Sequence, residues 1–430
     1  MRTQKLAWGL VLGLVAAFGC SSDGGGTTTT AEPITIALMT PKTGALGEVG
    51  KSFERVARAA VNEINVQGGI NGRDLKLFVV DDESDPTLAK VLFNALADIG
   101  VTAVVGPARS GSVANVMTAA ALKKLPLISP SSTAQGLENN MDDHYMFRNV
   151  SNDKFQGVAM AKYLAEISVP PVLSVVVVAE DSGYGTGLAE SFKTSFAKKN
   201  GTVTSTILFP ANLDTAGADA VVAKIVAANP TMVVMVALEQ DALKICTQWD
   251  ASGSATGVKW FFTDGARSAG FLATLPEKVV GSFGTAPSTP DTGAAYGVLK
   301  DRYEAANNDA IGDQVYASNV WDAVFLIAAA LAQQDHDYPG EAFGGEHLRD
   351  EITGVSRDGQ IYNAGQWADM LGAINSGGDV DYDGASGPCN FDVDGEAIGP
   401  YEVWRIDEDP NTHVKSFSRA QFLEAGQLME

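Results

Sequence analysis

In Gly106-Pro107-Ala108-Arg109-Ser110-Gly111-Ser112 an apolar run ends and Ser110 stands at the start of a helical stretch. Free backbone N–H groups and the positive end of a helix dipole at such a place suit a carboxylate. Ile128-Ser129-Pro130-Ser131-Ser132-Thr133 gathers a second set of hydroxyls and amides. Taken alone, both clusters also read as serines that only cap helices. Phe261-Phe262-Thr263-Asp264-Gly265 ends an apolar run on a carboxylate that suits an ammonium group, or else forms a simple Asp-Gly turn. Gly183-Tyr184-Gly185-Thr186-Gly187 follows a strand and opens a helix, the setting of a dinucleotide fingerprint. Its third glycine comes one residue early, and the next strand runs into Leu208-Phe209-Pro210 with no acidic residue, so a cleft-facing loop that presents Tyr184 fits better. Asp379-Val380-Asp381-Tyr382-Asp383-Gly384 matches half of a calcium loop, but the twelfth position is Asn390 and the bidentate glutamate is missing, so acidic polar turns are expected and no metal. His144, His336, His347 and His413 share no metal-ligand spacing and accompany no nucleophile. No catalytic set assembles, and neither an enzyme nor a cofactor is expected.

The elements that must position these residues alternate strictly. Ile34 to Met39 reads as a strand. Phe53, Val56, Ala57, Ala60, Val61 and Ile64 then fall on one helical stripe, Gly68-Gly69 stops it, and Asn71-Gly72 turns the chain into a strand over Leu75 to Val80. Asp85 is an N-cap before Pro86, with a second helix following. Strands are predicted at Val101 to Val105 and Pro126 to Ser129. The order restarts after Val150 with strands at Val172 to Ala179, Thr202 to Phe209 and Thr231 to Ala237, interleaved with helices at about Tyr184 to Lys199, Thr215 to Ala228 and Asp241 to Ala251. Strict alternation argues for parallel, doubly wound sheets, and two successive runs of it argue for two Rossmann-like α/β lobes. Further helices are predicted at Tyr296 to Asn307, Asp313 to Gln334, Glu346 to Thr353 and Gln366 to Asn375, and the charged tail past Asp407 is left unassigned.

The words PKTGALGEVGKSFERVARAAVNEINVQGGINGRDLKLFVVDDESDP closely resemble the opening of the type 1 periplasmic binding proteins of the leucine-isoleucine-valine-binding family, and the resemblance runs from about Pro33 to Ile406. It implies two lobes joined by a three-segment hinge: 33–149 and 282–382 in lobe 1, 150–281 and 383–430 in lobe 2, the tail included. It implies a ligand cleft between them, with Ser110, Ser131 and Thr133 as carboxylate contacts, Tyr184 packed on the ligand, and Asp264 as the acidic contact. Glu239 stands where the family often has an aromatic lining residue, and Val49 where close relatives carry a tyrosine. Both departures point towards a polar or larger amino acid before leucine. Phe391 to Gly395 and Tyr401 to Arg405 resemble the closing hairpin of the family. The implied function is a monomeric solute-binding protein that hands a small ligand to an ABC permease by hinge closure; the rival is a sensor of the same fold coupled to a signalling partner.

The chain is long enough, at 430 residues, for two ordinary domains. A formal charge of −22 repels nucleic acid and anionic lipid heads. Arg2 and Lys5 precede the apolar run Leu6 to Phe18, too short to span a membrane, so residues 1–19 read as a secretory signal. Ala17-Phe18-Gly19-Cys20 before a Gly/Thr-rich stretch resembles a lipoprotein processing site, which makes Cys20 the lipid-bearing residue, 20–32 a tether, and the periplasm or cell surface the location. Export implies an oxidising compartment. Cys246 and Cys389 are therefore candidates for one disulfide, within a single lobe by the family's layout, with two separate thiols as the alternative.

Overall fold

The structure, a computed structural model, describes residues 32–138, 143–253, 257–288, 293–312 and 314–429. The predicted signal, Cys20 and most of the predicted tether lie outside them. Everything below concerns the unit Glu32–Glu430.

The first run of the chain is β1 (Ile34–Thr40), α1 (Gly47–Val66), β2 (Leu75–Asp81), α2 (Pro86–Asp98), β3 (Val104–Val105), α3 (Ser110–Lys123), β4 (Leu127–Ser129) and β5 (Met146–Arg148). Its strands form an all-parallel sheet in the order β2-β1-β3-β4-β5. All six apolar positions of the α1 stripe are buried, and a full burial such as that of Phe53 or Ile64 contributes about 1.5–3 kcal/mol. Asp85 caps α2 as its sequence requires, its carboxylate accepting from the Thr87 and Leu88 amides.

The second run is α4 (Asp153–Lys162), β6 (Ser174–Glu180), α5 (Gly183–Lys198), β7 (Thr202–Phe209), α6 (Thr215–Ala228), β8 (Met232–Val236), α7 (Glu239–Ala251), β9 (Lys259–Phe262), α8 (Ala269–Thr274) and β10 (Phe283–Pro287). The third is α9 (Ala294–Asn307), α10 (Ala317–Asp337), α11 (Gly345–Gly354), β11 (Gln360–Tyr362), α12 (Trp367–Asn375), β12 (Val380–Gly384), β13 (Gly387–Pro388), β14 (Tyr401–Glu408) and β15 (Lys415–Leu423). A seven-stranded sheet takes the order β15-β14-β10-β9-β8-β6-β7, so it keeps the chain through Pro287 and recovers it at Tyr401. In between, α9 and α10 pack on α1 of the first lobe, and β11-β12-β13 make a small sheet beside α10 and α12. Almost every residue of α10 is buried. The two lobes are thus those the alternation predicts, with the first sheet all parallel and β14 and β15 joining the parallel strands of the second antiparallel.

Three local expectations are corrected. Asp381 and Asp383 lie on β12, paired with β11 and β13, so the acidic stretch is a strand rather than a run of turns. The closing hairpin is β14 with β15, supplied by the tail left unassigned, while Phe391 to Gly395 turns back on Arg148. Cys246 and Cys389 are free thiols. Cys246 is buried on α7 of the seven-stranded lobe. Cys389 follows β13, with its sulfur against the Gly387 carbonyl and 3.9 Å from the Ser386 hydroxyl, both beside α10. The two thiols belong to different lobes, and a bridge needs Cα atoms within about 7 Å.

Candidate functional site

Ser110, Ser131, Thr133, Tyr184 and Asp264 line one cavity of about 150 Å³, with Leu46, Val49, Arg109, Glu180, Leu238, Val315 and Tyr316. By the measure in which a water needs roughly 10–15 Å³, that is room for about ten water-sized atoms. Loops at the carboxyl ends of strands supply most of the wall, the place where open α/β sheets bind ligands.

The first lobe contributes two hydroxyl clusters. Ser110 is the first residue of α3 and Arg109 its N-cap; the Ser110 hydroxyl does not cap its own helix but accepts from the Ala134 amide at 3.2 Å. Ser131 donates to the Ala108 carbonyl at 2.9 Å, and Ser129 to the Pro107 carbonyl at 2.7 Å, which stitches the loop after β4 to the loop after β3. The buried Arg148 holds the same loop through the Ala134 carbonyl at 2.9 Å and pairs with Glu396.

The second lobe contributes carboxylates. Asp264, just after β9, accepts from Gln156 Nε2 at 2.8 Å, the Tyr184 hydroxyl at 2.9 Å and the Tyr316 hydroxyl at 2.5 Å. Tyr316 is held in the left-handed region at φ 64° immediately before α10, a rare state for an aromatic residue, and its hydroxyl reaches across from the α10 side to Asp264. Burial still outweighs these three donors and pushes the Asp264 carboxyl above its ordinary range. Asp153, the first residue of α4, is fully buried with neither carboxylate oxygen in a well-formed hydrogen bond. Burial first, and Asp264 second, raise its carboxyl further. Among the described residues, the side chains that donate to Asp264 are neutral, and the Arg148 guanidinium eases Asp153.

Glu239 is not brought to the cavity. It is buried as the first residue of α7, takes the Ser268 hydroxyl at 2.7 Å, and lies so close to Gly270 that a Cβ there would meet its Oε1 at 2.4 Å. It therefore docks α8, and Leu238, one residue earlier, takes the cavity wall. Glu180 carries a legible signal, an acid at the carboxyl end of a strand. Leu238 carries none beyond its neighbour, and Tyr316 depends on a backbone state that only packing imposes.

A chain with this fold and this cleft belongs to the periplasmic binding protein family, whose model matches residues 33–410. It is 25% identical over 386 residues to the chemotactic signal transduction system substrate-binding protein BasB of Halobacterium salinarum, covering 87% of each chain. It is 25% identical over 307 residues to the Leu/Ile/Val-binding protein of Escherichia coli, covering 71% of this chain and 81% of that one. Among solved structures it resembles the branched-chain amino acid transporter substrate-binding protein LivJ of Streptococcus pneumoniae in complex with isoleucine, at TM-score 0.71 and 24% identity, covering 90% of this chain and 99% of that one. It also resembles a solute-binding protein of an ABC transporter from Rhodopseudomonas palustris in complex with 3,4-dihydroxybenzoic acid, at TM-score 0.71 and 15% identity, covering 91% and 98%.

Proposed function

We propose that the chain is the solute-binding component of an ABC importer, exported and held at the membrane by lipid on Cys20, and that its ligand is a free amino acid. One observation carries the ligand: a cavity lined by Ser110, Ser131 and Thr133 from one lobe and by Tyr184 and Asp264 from the other. Hydroxyls and a helix start suit a carboxylate; a buried carboxylate fed only by neutral donors suits an ammonium. A zwitterionic α-amino acid satisfies both ends. Each end belongs to a different lobe, so ligand held by one favours the closed arrangement with the other, and the closed form docks on the permease. No cofactor or catalysis enters this reading. A thermal-shift screen of the mature protein against the twenty amino acids, short amides, urea and aromatic acids tests it. A ligand at a hundred times its Kd stabilises by about 2.7 kcal/mol, a visible rise in Tm. Stabilisation by an aromatic acid or amide, and by no amino acid, would overturn the amino-acid assignment.

A second reading, a sensor passing closure to a signalling partner, is favoured by the likeness to a chemotactic substrate-binding protein across 87% of the chain. Ligand uptake by vesicles carrying the cognate permease, restored by adding this protein, separates importer from sensor.

A further inference from the structure

Hydrogen bonds between the protein's own groups join the two lobes across the cleft. Arg109, the N-cap of α3, donates from Nη2 to Oε1 of Glu180, the last residue of β6, at 2.7 Å. Gln240 Nε2 of α7 donates to the Gly44 carbonyl ahead of α1 at 2.6 Å, and the Tyr316 hydroxyl reaches Asp264 from the α10 side. The first of these carries charge. Its side chains are 12% and 1% exposed, so closing the lobes takes both ions out of water. Arg109 is already placed for the contact, because its Nη1 donates to the Ser84 carbonyl of its own lobe at 2.9 Å. Glu180 depends on it. Among the described residues its buried Oε2 has no hydrogen-bond partner, which leaves Arg109 to satisfy the carboxylate through Oε1. A closed cleft with one of the two charges missing buries the other uncompensated, whereas an open cleft hydrates it.

We propose that Arg109 and Glu180 form a latch that holds the lobes closed through the protein's own contacts. The ligand-free protein is then mostly closed and opens transiently to admit its ligand. Closure requires the charges to be matched or both absent, since an apolar pair of similar volume carries no desolvation cost. This goes beyond the reading above, because it assigns closure to protein groups and holds whatever the ligand is.

Double electron–electron resonance tests the latch on the full chain carrying Cys20→Ser, refolded from urea to strip carried-over ligand and measured with none added. Spin labels are attached through Val91→Cys on α2 and Val226→Cys on α6, positions 62% and 44% exposed and lying one in each lobe. Cys246 and Cys389 are buried and stay unlabelled. One short distance should dominate when Arg109 and Glu180 are both present. Arg109→Met and Glu180→Met each strand one charge, and each should move at least half of the molecules to a longer distance. Combining them should restore the short distance, the non-additive result that a coupled pair requires. A merely structural role would lower the urea midpoint and leave the distance unchanged. The proposal is overturned by a long distance with the pair intact, by an unchanged distance in both single variants, or by additive shifts in the double variant. If one single variant fails to fold, the distance with the pair intact and that of the other variant decide. A ligand other than an amino acid would remove the reading above and leave the latch standing, because no ligand enters this measurement.

Discussion

At the scale of single residues, the cleft is built around carboxylates whose charge is costly. Burial holds the Asp264 carboxyl above its ordinary range, and an ammonium partner favours the ionised form. On the amino-acid reading, affinity should rise with pH through the raised Asp264 range. Asp264→Asn keeps an acceptor for the Tyr316 hydroxyl but loses the charge. It should weaken amino-acid binding by about 2–5 kcal/mol and remove most of that pH dependence, with little effect on folding; calorimetry across pH measures both. Asp82 is a second case with the opposite emphasis. Buried at the end of β2, it takes the Ser84 amide on Oδ1, while Oδ2 and the Ser112 hydroxyl lack well-formed bonds. Burial raises its carboxyl from 3.8 to about 6. The folded state then binds the proton more tightly than the unfolded chain, so the contribution to stability falls as pH rises from about 4 to about 6, by about 3 kcal/mol. Asp82→Asn should stabilise the protein at pH 7 by about 1–3 kcal/mol and flatten that part of the profile, read from urea midpoints between pH 4 and 7.

At the scale of elements, the glycines after β6 separate packing from convenience. A Cβ on Gly185 would meet the Glu180 carbonyl oxygen at 2.1 Å, so the turn that sets Tyr184 and Glu180 on the cavity needs that glycine. Gly187, one half-turn further along α5, has open space around it. Gly185→Ala should cost about 1–3 kcal/mol and reduce ligand affinity, whereas Gly187→Ala should be neutral or stabilise by up to about 1 kcal/mol. Chemical denaturation of the two variants checks the contrast. Melting of both alike would mean the motif serves the helix and not the site.

The molecule as a whole decides the cysteines. Cys246 and Cys389 are buried in separate lobes, with thiols that burial pushes up, so neither is reactive in the folded state. Purified protein should show neither Cys246 nor Cys389 accessible when native and both when denatured without reductant, and reductant should leave its Tm unchanged. A single bridge, seen as loss of both thiols in denaturant, would contradict this.

Short-range chemistry determined what the sequence alone carried. The apolar stripe of α1, the Asp85 cap and the strand-ending motifs each act within a few residues, so the alternation of strands and helices and the two-lobed architecture were legible from them, while β5, α4 and β11 to β13 were not. Ser110, Ser131, Thr133, Tyr184 and Asp264 sit at strand or helix ends, and that placement too is local. What only the tertiary structure decided depends on partners far along the chain. Leu238 rather than Glu239 faces the cavity because α8 claims the glutamate. Tyr316 reaches Asp264, 52 residues away, only through a left-handed backbone fixed by packing. The tail forms β15 because β14 offers it an edge, and Cys246 stays apart from Cys389 because the chain changes lobes between them. Glu180 keeps one oxygen free because Arg109, 71 residues away in the other lobe, takes only the other.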